Sequence, residues 1–298
     1  MISWKYPGGC AAYKVLTFAA AAGAVVAITM AAVTIPVIPC SAIDENHDLA
    51  SCVDPFIGTG GHGHTYPGAT MPFGMVQLSP DTRLSGWDGC SAYHFSDDVL
   101  YGFSHTHLSG TGCSDYGDIL FMPTTGEVLF ERGGPEDTGA GYCSSFSHER
   151  ESASPGCYSV TLDDYGILAE LTATRRVGVH RYTYPESDMA NIIIDLAHRD
   201  DVITSGIHFL SDTEIEGFRR SRAWAKDQHV YFYANFSKPF SREGIKAGGK
   251  LLEGATHAIG ENVKAFVGFE TEEGEEITVK VAISAVDTDG ARSNLQAE

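Results

Sequence analysis

Basic side chains are scarce in this chain. Its 298 residues hold 20 lysines and arginines against 39 aspartates and glutamates, a formal charge of −19. Phosphate backbones are bound by a basic footprint, so nucleic acid is excluded as an expected partner and acidic polymers are disfavoured. A neutral ligand such as a sugar is compatible with this charge. No cysteines carry the paired CxxC spacing of a zinc ribbon. No serine sits in a GxSxG elbow: Ser104 lies in GFSHT and Ser109 in HLSGT. Cys113, in GTGCSD, has no activating context. Nucleophilic catalysis is therefore poorly supported. No carboxylate pair is singled out by spacing, because pairing two carboxylates is a matter of geometry. A long amphipathic helix is missing between Asp44 and Val286, as are internal repeats.

What is present begins with a leader over residues 1–42. Lys5 and Lys14 precede an apolar, charge-free run from Val15 to Pro39. This pattern predicts a secretory signal, although the run is also long enough to stay in a bilayer as an anchor. Cys40 in VIPCSA adds a lipoprotein alternative. Each of these readings puts the main body outside the cytoplasm: extracellular, periplasmic or at the cell surface, with membrane contact only through the leader. Residues 43–51 read as a polar linker. Disulfides are permitted outside the cytoplasm. Cys143 and Cys157 flank a polar loop and could close it, the rival reading being two small half-buried thiols. Asn235-Phe236-Ser237 fits a glycosylation sequon.

From residue 52 to 286 the pattern is that of strands. Ile167, Ala169, Leu171 and Ala173 alternate with Leu168, Glu170, Thr172 and Thr174; Ile277, Val279, Val281 and Ile283 alternate with Thr278, Lys280, Ala282 and Ser284. Period two marks half-buried strands. Further strands are predicted at Phe73–Ser79, Asp118–Met122, Cys157–Leu162, Val177–Tyr184, Asn191–Leu196, Thr213–Phe218, Val230–Phe236 and Val263–Phe269. The fold class is all-β, a large antiparallel β-sandwich. After Val286 the pattern changes: Asp287 reads as a helix cap, and 287–298 as the start of a helix of about two turns, too short to stand alone. The polypeptide is expected to continue into a further domain.

The densest chemistry lies between Val53 and Gly126, rich in Gly, His, Trp, Tyr and Asp. Gly58-Thr59-Gly60-Gly61-His62-Gly63 matches GxGxxG, but a turn follows it where a dinucleotide site needs a helix. His62 with His64, and His105 with His107, form HxH pairs. On strands each pair would face one way and could ligate a metal, with Asp115 or Asp118 as a third ligand. The alternative is hydrogen bonding to a polar ligand or to loop backbone. Trp87 lies between small residues in SGWDGC, where it is presented for a sugar face to stack on, with Asp88 accepting from hydroxyls. The bland alternative plugs Trp87 into the sandwich rim. For Trp224, in RAWAKD, a core or hairpin-edge role is favoured over ligand contact.

Five stretches in order, VDPFIGTGGHGHTYPGATMPFGMVQLSPD, GWDGCSAYHFSDD, GFSHTHLSGTGCSDYGDI, ELTATRRVGVHRYTYP and VAISAVDTDGARSNLQAE, resemble glycoside hydrolase family 92, the calcium-dependent α-mannosidases. The resemblance implies an N-terminal β-sandwich followed by a helical (α/α)6 domain. That second domain would hold the acid, the base and the calcium ligands of an inverting exo-mannosidase. By the resemblance, Trp87 contacts the mannose that is cleaved off, with Asp88, His62, His64, His105 and His107 as weaker candidates along the same cleft. The acid and base have no counterpart in these residues, so catalytic residues and metal ligands are not expected in this chain. Its partners would be mannose-containing glycans and a helical domain in cis. Two rivals stand beside this reading: a stand-alone carbohydrate-binding or assembly module, and an independent HxH metallohydrolase.

Overall fold

Strands form where side chains alternate between core and solvent. In the segment Ile167–Ala173, Ile167, Ala169 and Leu171 are buried while Leu168 and Thr172 are exposed. The structure, a computed structural model, describes residues 49–298. Its strands are β1 (Ala69–Thr70), β2 (Gln77–Asp81), β3 (Val99–Leu100), β4 (Gly102–Ser104), β5 (Leu120–Thr125), β6 (Ser144–Ser145), β7 (Glu151–Ser154), β8 (Cys157–Leu162), β9 (Ile167–Ala173), β10 (Val177–Tyr184), β11 (Ser187–Asp195), β12 (Asp201–Phe209), β13 (Glu214–Arg222), β14 (Gln228–Phe236), β15 (Arg242–Ala247), β16 (Lys250–Leu252), β17 (His257–Gly260), β18 (Lys264–Thr271) and β19 (Glu275–Ser284). One helix, α1 (Thr288–Ala297), follows. The leader and most of the expected linker lie outside the described residues.

Eight strands form one antiparallel sheet in the order β1-β2-β4-β5-β11-β18-β15-β16, nine form a second in the order β17-β12-β13-β14-β19-β10-β9-β8-β7, and β3 pairs with β6 apart from both. The sheets share one apolar interior, where Leu78, Phe103, Phe121 and Ile193 from the first meet Val160, Tyr182, Val279 and Phe232 from the second. Each such side chain stabilises the fold by about 1.5–3 kcal/mol. An exposed pair such as Arg220–Asp227 is screened by solvent and adds little. The interior, not the surface charge, holds the sandwich together.

Strands β8 and β10 have the predicted bounds. The predicted strand at Phe73–Ser79 is displaced to Gln77–Asp81, because Phe73 turns the chain at φ 60° and is fully exposed. Strands β12 and β15 escape period-two reading because glycine interrupts them. A Cβ on Gly206 would meet the Phe218 ring at 2.5 Å, and one on Gly244 the Phe266 ring at 2.6 Å. The neighbouring aromatic ring supplies the apolar bulk at each of these positions.

The end of β19 is buried on both faces, from Val281 to Ser284. The cause is α1, which lies across β19 and β14. Asp287 caps it, accepting from Gly290 N at 2.6 Å. Asn294 Nδ2 donates to Ile283 O at 2.8 Å, and Arg292 stacks on the Tyr233 ring at 4.7 Å. A short helix that is marginal by itself is thus held by tertiary contacts.

The candidate Cys143–Cys157 bond is not formed in this structure. Cys143 is buried with its Sγ directed at Thr138 O, and Cys157 is exposed in the β7–β8 hairpin; both are free thiols. The polar loop between them is organised instead by backbone and carboxylate bonds, such as Glu151 with Tyr93, Tyr158 and His148.

Candidate functional site

Five loops meet: residues 54–68 before β1, 82–98 after β2, 105–119 between β4 and β5, 196–200 before β12 and 223–227 between β13 and β14. Hydrogen bonds join them. Phe95 N donates to Thr59 O at 2.9 Å, His94 Nε2 donates to Gly61 O at 2.9 Å, and Gly110 N donates to His64 O at 2.6 Å. Loops rich in glycine can be closed this tightly because backbone approaches backbone directly.

Trp87 stands on this surface, 61% exposed, at the start of a short 3-10 turn. Gly86 before it has φ 81°, a left-handed conformation that suits glycine. The indole lies against Gly112, where an added Cβ would come within 2.5 Å of Cη2. His64 meets it edge-on with ring centroids 4.9 Å apart. The His64 ring is itself fixed, donating from Nδ1 to Thr111 O at 2.5 Å. Beside Trp87, His62 Nδ1 donates to Asp88 Oδ1 at 2.9 Å. The Asp88 carboxylate raises the His62 imidazole, and the His62 contact lowers Asp88. The result is a rigid, half-open indole with an exposed histidine–carboxylate pair next to it. This combination can stack on a sugar face and exchange hydrogen bonds with hydroxyls.

The HxH expectation fares differently. His62 is on the surface, whereas His64 is buried and backs the indole. His105 and His107 are both buried, which removes them from the set facing a ligand. His105 donates from Nδ1 to Ile119 O at 2.6 Å and meets His180 in the interior. His107 donates from Nδ1 to Gln77 O at 2.8 Å, and its Nε2 lies 2.6 Å from Asp81 Oδ1. They face different partners because the chain leaves strand geometry after Ser104. Among the described residues no group of three or more His, Cys, Asp or Glu side chains is placed to hold a metal ion. The side chains of the described residues therefore do not fit calcium.

Sequence reading missed the groups that hold the loops from beneath. Arg199 donates to Gly89 O at 3.1 Å and to Ser114 Oγ, joining the Trp87 loop to the 105–119 loop. Arg219, fully buried, pairs with Asp118 and also donates to the carbonyls of Leu196 and Arg199. Asp118 accepts further from Thr106 Oγ1 at 2.7 Å and Gln228 Nε2 at 2.5 Å. Asp115 Oδ2 accepts from Ala225 N at 2.9 Å, and Asp200 Oδ2 from Tyr116 N at 2.8 Å. Burial pushes the Asp200 carboxyl up to about 7, with neighbouring Asp115 adding to the rise and Arg219 opposing it. The sequence singles out Asp115 and Asp118 only as possible metal ligands, and Arg219 stands inside the alternating pattern of β13; Arg199 and Asp200 lie in a loop with no pattern to mark them.

The class that these features define is a large antiparallel β-sandwich with a loop-built aromatic and polar surface. Comparison with known proteins narrows it. The profile of the glycosyl hydrolase family 92 N-terminal domain matches residues 52–284, and the chain belongs to this family of glycosidases. A family 92 alpha-mannosidase from Bacteroides thetaiotaomicron, solved with mannoimidazole, is 45% identical with a TM-score of 0.81, over 84% of this chain and 34% of that one. An inverting family 92 mannosidase from the same species is 28% identical with a TM-score of 0.72, over 86% of this chain and 34% of that one. An uncharacterized secreted glycosidase of Arthroderma benhamiae is 27% identical over 164 residues, which is 52% of this chain and 20% of that protein. The chain thus spans about a third of the length of the solved relatives and a fifth of the curated one.

Proposed function

We propose that this chain forms the sandwich side of the substrate cleft of an exported, inverting α-mannosidase. The observation that carries the reading is Trp87: a half-open indole, clamped by Gly112 and His64, beside the His62–Asp88 pair. In this reading the indole receives the apolar face of the terminal mannose, and Asp88 and His62 orient its hydroxyls. Such binding fixes a near-attack geometry. It does not supply the chemistry. Inversion requires a general acid on the leaving oxygen and a general base on water, with their carboxyls about 6.5–9.5 Å apart. Those groups, and calcium, belong in this reading to a helical domain in cis. Export rests on the apolar leader and on the secreted relative of Arthroderma benhamiae.

The test uses the 298-residue chain. It is titrated with methyl α-mannoside while the indole N–H of Trp87 is followed by NMR, and hydrolysis of an aryl α-mannoside is assayed in parallel. The expected result is a saturable shift of Trp87, absent with methyl β-galactoside, and no turnover. An equal response to both sugars, or turnover by this chain, would sink the reading.

A further inference from the structure

A second indole, Trp224, belongs to the same set of loops. Trp224 is 76% exposed at the tip of the β13–β14 hairpin. It is not a loose end. Ala223 N donates to Ala225 O at 2.9 Å, Arg220 clamps Asp227 through two bonds of 2.7 and 3.0 Å, and buried Asp115 accepts from Ala225 N. Four polar contacts thus hold an apolar side chain out in water. That arrangement costs hydrophobic free energy unless something covers the ring.

Two observations indicate what covers it. First, its surroundings are polar: Arg222, Lys226 and Asp227 are exposed around it, so it is no part of a continuous apolar patch of the kind that marks a protein interface. An isolated aromatic face amid hydrogen-bonding groups suits a saccharide, which is apolar on its ring faces and polar at its edges. Second, the support of Trp224 is continuous with that of Trp87. Asp115 holds the hairpin tip, and Gly112 in the same loop carries the Trp87 ring. Three residue steps separate these contacts, at most about 10 Å of chain. The loop is fixed between them, since Arg199 ties Ser114 to Gly89. Both indoles are therefore tied to one rigid segment. A ligand that stacks on both must be larger than a single sugar, which covers one indole face.

We propose that Trp224 is a second stacking platform, engaging a sugar of the same α-mannoside beyond the one at Trp87 and selecting oligosaccharides over monosaccharides. This rests on the mannoside reading above.

The test follows both indole N–H signals, assigned with Trp87→Phe and Trp224→Phe, during titration with methyl α-mannoside and with an α-linked mannotriose. The monosaccharide is expected to move Trp87 alone, and the trisaccharide to move both. Trp224→Ala should weaken the trisaccharide about tenfold and leave the monosaccharide unchanged, while Trp224→Phe, which keeps a ring, retains most of the affinity. If Trp87 responds to the trisaccharide and Trp224 stays silent, the second platform is wrong and the indole marks a protein contact. If neither indole responds to either sugar, the mannoside reading itself fails.

Discussion

The Nε2 atoms of His105 and His180 lie 3.0 Å apart in the buried interior between the sheets. One proton arrangement satisfies the chain around them. His105 donates from Nδ1 to Ile119 O, so its Nε2 accepts from His180 Nε2–H, and His180 Nδ1 accepts from the Tyr182 hydroxyl at 2.7 Å. Both rings are neutral. Burial lowers His105 to about 4 and His180 well below its ordinary value. The unfolded chain, titrating near 6.5, binds more protons than the folded one, so stability falls as pH drops from about 6.5 toward 4. His105 alone accounts for on the order of 3 kcal/mol over that window. Urea midpoints between pH 7 and 5, before most carboxylates titrate, should decline more steeply than in the His105→Leu/His180→Phe double variant. Equal slopes would contradict the pairing.

Arg219 makes the converse point about buried charge. Its guanidinium and the Asp118 carboxylate are both without solvent contact. Replacing Arg219 by Met leaves the buried Asp118 carboxyl without its ion-pair partner. The expected cost is about 3–5 kcal/mol in chemical denaturation. The loops at 105–119 and 196–200 should also lose hydrogen-exchange protection, because Arg219 holds the Leu196 and Arg199 carbonyls. A change under about 1 kcal/mol would show that the pair is not a main support.

How far the sequence discloses this molecule depends on the range of the interactions. Strands β8, β9, β10 and β19 were legible because period-two alternation is a local consequence of one face being buried. The Asp287 cap was legible because it too is local: its carboxylate accepts from a backbone N–H three residues on. Strands β12 and β15 were not, since Gly206 and Gly244 are explained by rings on neighbouring strands. The exposure of Trp87 followed from its small neighbours. The burial of His105 and His107 did not, because an imidazole on the surface and one paired across a core look alike in a sequence. The Arg219–Asp118 pair joins residues 101 apart, and no local pattern encodes it.

Asp200 should give a pH effect of opposite sign to His105. With its carboxyl raised to about 7, the folded chain binds the extra proton, so its contribution is present at low pH and is lost as pH rises from about 4 through 7. Asp200→Asn keeps an acceptor for Tyr116 N and removes the charge. The variant should gain stability over the parent progressively as pH rises from about 4, with the largest margin in thermal stability at pH 8. A variant less stable at pH 8 would mean that the charged form is the favoured one.

The free thiols give a direct check on the absent disulfide. Cys143 is buried and its thiol is pushed up to about 11 by burial, with Asp164 adding to the rise. Cys157 is exposed. Since the thiolate is the reactive species, iodoacetamide at pH 8 should label Cys157 in the native protein and spare Cys143 until denaturant is added. A peptide joining the two cysteines in an unreduced digest would show that the bond forms.

Gly112 is the most economical place to test the candidate site, because it separates the position of Trp87 from its presence. A methyl group there would stand 2.5 Å from Cη2 and 2.8 Å from Cζ3 of the indole. The other side of the ring is held by His64, whose Nδ1 is bound to Thr111 O, so the indole cannot shift without breaking its support. Gly112 is itself exposed and has no positive φ, so alanine there should not strain the backbone. The expected outcome for Gly112→Ala is a melting temperature within about 3 °C of the parent. Binding of methyl α-mannoside should weaken about tenfold or more, equivalent to at least about 1.4 kcal/mol. If affinity is unchanged, the indole has room to re-seat and its clamped orientation is not what the ligand reads. If melting collapses along with affinity, Gly112 serves the loop's fold rather than its surface.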